Sequence, residues 1–227
     1  MILALLNECS INKESGNNAD PPQGMDMAGR KRQNAEERKP AILKAFYEVI
    51  EAEGFENASV AKVAKQAEVH ASLIIHYFGS KEKMVMALVD EVLHTYAALF
   101  ARLPEGGEPS ERLERLLALI WSREWHDAAS FSVVFSFLAL SHRDPSVMER
   151  VRNLYGHYRT YLLHQMALLS EAGVIRVDDP TASAEALISL SEGSHYFSRY
   201  HIEAGTFDAH CRHMTEAARK ILGAEVT

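Results

Sequence analysis

Side chains suited to holding a polyanion sit close together between Ser59 and Lys83, in the run SVAKVAKQAEVHASLIIHYFGSKEK. Tyr77 offers a phenolic hydroxyl and Lys81 an ammonium, and both can bond phosphate oxygens. A helix starting at Ser80-Lys81 adds amide donors and a favourable dipole at the same place. His76 either joins these groups or stacks its ring within the fold. Ser59 either touches phosphate or only caps a helix. His70, Ala71, Ser72 and Leu73 open a second short helix, and Ile75 shares its outer face. Ser72 can donate or accept at base edges, while Ala71, Leu73 and Ile75 can meet thymine methyls. This surface has no Arg or Asn, so selectivity would rest partly on methyl contacts and DNA shape. Leu73 has an alternative place in the core, against Val60 and Val63, and Ile74 belongs there.

The elements that must position these groups follow from the same run. Ser59 can cap a helix through Gln66, with Val60, Val63 and Ala64 as its apolar stripe. Ala67-Glu68-Val69 makes a turn, His70 to His76 a second helix, and Ser80 starts a third. Two helices joined by so short a turn are the arrangement that lays the second in a DNA major groove.

The residues Ala64, Ala67, Val69, Leu73, His76-Tyr77-Phe78 and Ser80-Lys81-Glu82 resemble the amino-terminal domain of TetR-family transcriptional regulators, over residues 34 to 88. The HYF tripeptide followed by SKE is the most specific part. The resemblance implies that Tyr77 and Lys81 hold the phosphate backbone and that His70–His76 is the reading helix. Two positions depart from the family pattern. Glu68 stands where Gly is usual, so the turn must work without the permissive residue. His70 stands where Ser or Thr commonly caps the helix, and His caps less well.

The charge is distributed to match. The net charge of the 227 residues is −7, yet residues 30–83 carry +2, against −3 for residues 1–29 and −6 for residues 84–227. The one positive segment holds the motif, which places a nucleic-acid face there and leaves the remainder acidic. Lys62 and Lys65 either add diffuse attraction or only solvate their face. Arg30-Lys31-Arg32 is either a mobile arm reaching an adjacent groove or a solvated run. Residues 1–29 read as a disordered tail, polar and with Pro21-Pro22. Met25 and Met27, just before the basic run, are alternative natural starts. Two cysteines, Cys9 and Cys211, give no disulfide framework and suit the cytoplasm.

The rest reads as helix throughout: Asn34 to Glu53, closed by Gly54; Ser80 to Leu103, ended near Pro104; Ser110 to His126; and Ala128 to His142. The last is apolar on all sides, as a central buried helix would be. Asp144-Pro145 and Asp179-Pro180 open two more, to about Ala172 and Ala204, and Thr206 starts the final one. The expected fold is all-α with about nine helices. It comprises a three-helix DNA-binding domain over 30–83 and a larger ligand-binding and dimerisation bundle over 84–227.

By resemblance, the last two long helices form a dimer interface, with Leu187, Leu190, Ser191, Gly193 and Ser194 on the contact. The alternative is an ordinary core helix within one subunit. The bundle would hold the sensor. Trp121, Trp125, Phe131, Phe135, Tyr155, Tyr158 and His195 are candidate ligand residues, with an aromatic core as the reading that most of them favour. Trp121 and Trp125 share a helix face and, with nearby tyrosines, can form a cage for a cation. This part weakly resembles the choline-sensing subgroup of the family, and hydrophobic ligands fit as well as cations.

Other chemistry finds little support. His210 and His213 lie beside Asp208, and His157 and His164 are seven apart, but no spacing matches a structural zinc site. Ser194-His195 is adjacency without a third group, not a catalytic triad. There is no phosphate-cradling glycine loop, so no cofactor is expected, and no apolar run is long enough to span a membrane. The reading is a homodimeric, ligand-responsive regulator, a repressor on palindromic double-stranded DNA and not an enzyme. The rival readings are an activator and an all-α small-molecule binding protein without useful DNA affinity.

Overall fold

The fold is taken from a computed structural model that describes residues 27–224. The expected tail lies outside the described residues except at its end, where residues 27–29 are helical. Among the described residues there are nine helices of seven residues or more, one further α-helical turn, two 3-10 turns and no strand. The chain forms two compact units. One runs up to Leu93 and includes Ser130–Val147; the other is His94–Ala129 with Met148 onward. The expected boundary at 83/84 falls inside a continuous helix, Lys81–Phe100.

In the first unit, α1 (Met27–Glu53) begins earlier than the expected Asn34 and carries Pro40 in its interior. Proline there removes one amide donor, which the rest of a long helix can tolerate when its apolar face is packed. Ile42, Ala45, Phe46, Val49 and Ile50 are that face, all buried. Gly54, at φ 82 and ψ 156, takes a positive-φ, extended conformation open to glycine, and the helix ends there. Phe55–Asn57 is a short 3-10 turn. Then come α2 (Val60–Gln66), α3 (Ala71–Phe78) and the first part of α4 (Lys81–Phe100).

Later in the chain, α7 (Phe131–Ser141) returns to this unit and packs on α1. Its Ser132 hydroxyl bonds the Ile50 carbonyl at 3.4 Å, and the Tyr47 hydroxyl meets the Ser130 amide. The expectation that α7 is buried all round is not met. Only Val133, Phe137 and Ser141, one stripe at helical spacing, are buried, and Phe135 is exposed. One helix neighbour covers one face, whatever the apolarity of the rest.

In the second unit, the expected single helix from Ser110 to His126 is broken into α5 (Pro109–Ile120) and the one-turn α6 (Arg123–His126). Ser122 causes the break, because its side chain accepts the Trp125 amide at 3.0 Å and so starts a new helix. α8 (Pro145–Glu171) enters this unit at Met148. α9 (Pro180–His201) is capped by Asp179, whose carboxylate accepts the Ala182 amide at 3.0 Å. α10 (Phe207–Ile221) packs along α9. Arg176 donates its amide to the Leu222 carbonyl at 2.9 Å, fixing the end of α10 to the α8–α9 loop.

Candidate functional site

The turn between α2 and α3 is built from hydrogen bonds that close the end of α2. Glu68 donates to the Lys65 carbonyl at 3.3 Å and Val69 to the Ala64 carbonyl at 2.9 Å. That pair of bonds is a Schellman closure, which needs a left-handed residue between them. The residue is Glu68, at φ 53, the only non-glycine with positive φ among the described residues. The turn therefore keeps the geometry that Gly usually supplies, with a side chain that pays the steric cost.

From this turn α3 leaves with His70 as its cap residue, and the His70 side chain makes no capping bond. Ile74 anchors the helix, being 1% exposed. His70, Ala71, Ser72, Ile75 and His76 are exposed together on the opposite side, and Leu73 is half-buried, between the two places open to it. Ile75 at 44% exposure is a large apolar side chain held in water. Gly79, at φ 82, ends α3 and reverses the chain into α4. Ser80 caps α4, accepting the Lys83 amide at 3.3 Å. Its hydroxyl, with the helix amides as the larger influence, holds the Glu82 carboxyl below its ordinary range.

Tyr77 and Lys81 flank this exposed face, both half-buried. The Lys81 ammonium lies 5.9 Å from the Phe55 ring centre, so Phe55 packs back on the motif and supports the Lys81 stem. The Tyr77 ring leans on His76, with centres 5.4 Å apart. Ser59 does cap α2, accepting the Lys62 amide at 3.3 Å. The Lys62 ammonium is already paired with Glu53. All nine residues expected at DNA thus lie in one unit, seven of them on or at the start of α3.

The second unit gathers aromatic and polar groups. Phe100, Trp125 and Tyr158 stack mutually, with centres 5.0 to 5.8 Å apart. Tyr161 donates to the Pro104 carbonyl at 2.7 Å. His195 bonds the Ile120 backbone through one ring nitrogen and buries the other, Nε2, without a partner. Burial first, then the neighbouring His126, His210 and Arg199 charges, lower its pKa to about 4, so it is neutral near pH 7. The Trp121 indole N–H is likewise buried without a partner, and the Tyr158 and Ser191 hydroxyls are buried with only each other beside them. So many unpaired polar atoms in one unit are unusual in a finished core.

Trp121, Trp125, Tyr155, Tyr158 and His195 belong to this unit. Phe131 and Phe135 belong to the other, where their rings stack at 4.2 Å. Sequence reading missed Glu192, which sits among Tyr155 and Tyr196 and whose carboxyl is raised by burial against their hydrogen bonds. An acid inside an otherwise apolar helical stretch was the available signal.

The residues expected at the dimer contact divide. Leu187, Ser191 and Ser194 are buried within the protomer, on a stripe with Ala184 and Ser198. Within the protomer these small residues pack α9 against its own neighbours. Ser194 also bonds His210 of α10 at 2.8 Å. Leu190 is half-buried, and Gly193 has open space where a Cβ would stand. The outward side of α9 instead carries Phe197, 65% exposed, and Tyr200, 73% exposed.

Among the described residues no group of His, Cys, Asp and Glu could hold a metal ion. No described helix is long and apolar enough to cross a membrane.

Comparisons with known proteins agree with this geometry. Residues 42–88 match the family described as bacterial regulatory proteins, tetR family. Residues 108–224 match the tetracyclin repressor-like C-terminal domain. The HTH-type transcriptional repressor NicS of Pseudomonas putida is 30% identical over 94 residues, 41% of this chain and 44% of that protein. The chain thus covers under half the length of that relative. The HTH-type transcriptional regulator BetI of Stenotrophomonas maltophilia is 24% identical over 152 residues, 63% of this chain and 78% of that protein. A transcriptional regulator from Saccharomonospora viridis, solved in complex with choline, superposes with a TM-score of 0.69 at 20% identity, covering 84% of this chain and 100% of that one. A transcriptional regulator from Rhodococcus gives a TM-score of 0.65 at 20% identity, over 83% and 98% of the two chains.

Proposed function

The chain belongs to the TetR family of bacterial transcriptional regulators, and we propose that it is a homodimeric repressor released from a palindromic operator by a small-molecule effector. The observation that carries the DNA reading is the exposed face of α3. His70, Ala71, Ser72, Ile75 and His76 face water together, and Tyr77 and Lys81 stand at its flank. The exposed face reads base edges; Tyr77, Lys81 and the amides opening α4 hold phosphates. With little hydrogen-bonding capacity on that face, selectivity comes from Ser72, from methyl contacts and from DNA shape.

Two copies are needed to present α3 to successive major grooves roughly 34 Å apart. The outward face of α9, with Phe197, Tyr200 and the open Gly193, is the surface for the second copy. Two exposed aromatics one turn apart on a long helix are costly in water and ordinary at an interface. The effector enters the second unit among Trp121, Trp125, Tyr155, Tyr158 and His195. It favours a conformation in which the two reading helices no longer match the half-sites, which is a coupling free energy between two binding events. Choline in the Saccharomonospora viridis structure makes a nitrogen-bearing effector the first class to try.

A salt titration on DNA from upstream of the chain's own gene, against scrambled DNA, tests this reading. Selective binding that weakens steeply with salt is expected, and Lys81→Ala should lower the slope of log affinity against log salt by about one. Equal and weak binding to both DNAs, with no site recovered by genome-wide selection, would overturn it.

A further inference from the structure

Within the second unit, Glu192 stands apart from every other acid. It projects from α9 beside Tyr155 of α8 and Tyr196, one turn further along α9. Both hydroxyls bond its carboxylate and also contact each other. Those are three contacts between oxygens, and the two tyrosines bring only two protons. The third proton is the acid's own, which its raised pKa favours, unless a ligand brings a donor in its place. No Lys, Arg or His is among the groups that act on Glu192, only burial and the two tyrosines. A carboxylate withdrawn from water without a cation is costly, and hydroxyl donors offset only part of that cost.

The surroundings extend the pattern. Tyr158, 2% exposed, lies close enough to feel the Glu192 charge, and its hydroxyl has only the Ser191 hydroxyl beside it. Ser191, the residue before Glu192, is fully buried, its hydroxyl turned to that of Tyr158. His195 Nε2, one turn along α9, is an unpaired acceptor, because the other ring nitrogen is committed to the Ile120 backbone. Tyr158 stacks with Phe100 and Trp125, so aromatic rings continue from the acid. The unmet needs are thus one positive charge, N–H or O–H donors, and an apolar body against rings.

We propose that Glu192, flanked by Tyr155 and Tyr196, is the charge-bearing end of a site for a small protonated amine that carries at least one N–H. The inference rests on the reading of the second unit as the effector-binding part, and it names the effector's class. The ammonium sits against the carboxylate, donates to the Tyr–Glu–Tyr cluster in place of the acid's own proton, which leaves to water, and places its carbon skeleton along Tyr158 and Trp125. A fully methylated ammonium satisfies the charge but not the lone pairs, since it has no N–H to give. That separates this site from a cage built only of ring faces.

The test is a series differing in one property. 2-Aminoethanol and its N-methyl, N,N-dimethyl and N,N,N-trimethyl (choline) forms keep one hydroxyl and one charge while losing N–H groups stepwise. Ethylene glycol is the neutral control. Binding is measured by calorimetry on the full chain, and operator binding is measured in the same preparation without amine. The expected result is that affinity falls along the series, that ethylene glycol is silent, and that Glu192→Gln lowers amine affinity at least about tenfold while the fold persists. Tyr155→Phe serves as the second variant, with a smaller loss in the same direction, should Glu192→Gln not fold. Tightest binding by choline, unchanged binding in both variants, or silence across the series would each overturn the proposal. If the operator still binds in those cases, the regulator reading stands and only the amine site falls; loss of operator binding in wild type sinks that reading separately.

Discussion

Replacing Glu68 by Gly should make the protein more stable, although it removes a side chain from the centre of the reading motif. Glu68 sits at φ 53, where an L residue crowds its own Cβ against the backbone. That crowding costs about 1–2 kcal/mol. Gly removes it but returns freedom to the unfolded chain, which costs about 0.4–1 kcal/mol. The balance is a gain of about 0.5–1 kcal/mol, equivalent to a few degrees in Tm for a chain of this length. The side chain is exposed, so no packing is lost with it. Glu68→Ala is the control: it removes the same charge but keeps the Cβ, and should change Tm little or lower it. Urea and thermal unfolding of the three proteins side by side give the answer. If Gly and Ala shift stability alike, the effect is one of charge and the left-handed strain is not what limits the turn. If Gly lowers stability, the reasoning about this turn is refuted outright.

Three further outcomes follow from other sites. His195 is held neutral in the folded state with a pKa lowered to about 4, against 6.5 as its ordinary value; the unfolded chain binds its proton first, so stability rises with pH between about 4 and 6.5 and is lost as pH falls through that window, by at most about 3 kcal/mol. His195→Asn should flatten that part of the stability–pH profile, as followed by urea midpoints. Gly223 has φ 57, and a Cβ there would stand 2.3 Å from the Arg176 carbonyl oxygen, so Gly223→Ala should destabilise by about 2 kcal/mol or more, read as a lower Tm. Phe197→Glu places a charge on the outward face of α9 and should turn a dimer into a monomer in sedimentation, with operator affinity falling along with it.

The local motif was largely legible in the sequence because its signals are local. Ser59, Asp179 and the Asp-Pro pairs are capping chemistry, and each helix starts where those residues put it. The departure at Glu68 was visible as a residue out of place, and the structure answers that the backbone conformation stays while the residue bears the strain. What escaped depends on partners far along the chain. The apolarity of α7 suggested burial all round, yet only the neighbour actually present decides which stripe is covered. The small residues of α9 suggested close approach of a second chain, and within the protomer Ser191 and Ser194 are already covered. Periodicity gives the faces of a helix but not the order in which neighbours claim them. Glu192 was passed over because its meaning lies in Tyr155, thirty-seven positions away and met only in space.

The proposed reading face of Ala71, Leu73 and Ile75 also bears on chemical marking of the genome. Hydrogen-bonding readers such as Arg or Asn tell bases apart by where donors and acceptors stand. Apolar side chains register a methyl group in the major groove and nothing about the ring that bears it. Cytosine methylated at carbon 5 presents that group where thymine does. At positions read as proposed, the methylation state of the operator would become an input beside the proposed effector, with no dedicated residue required.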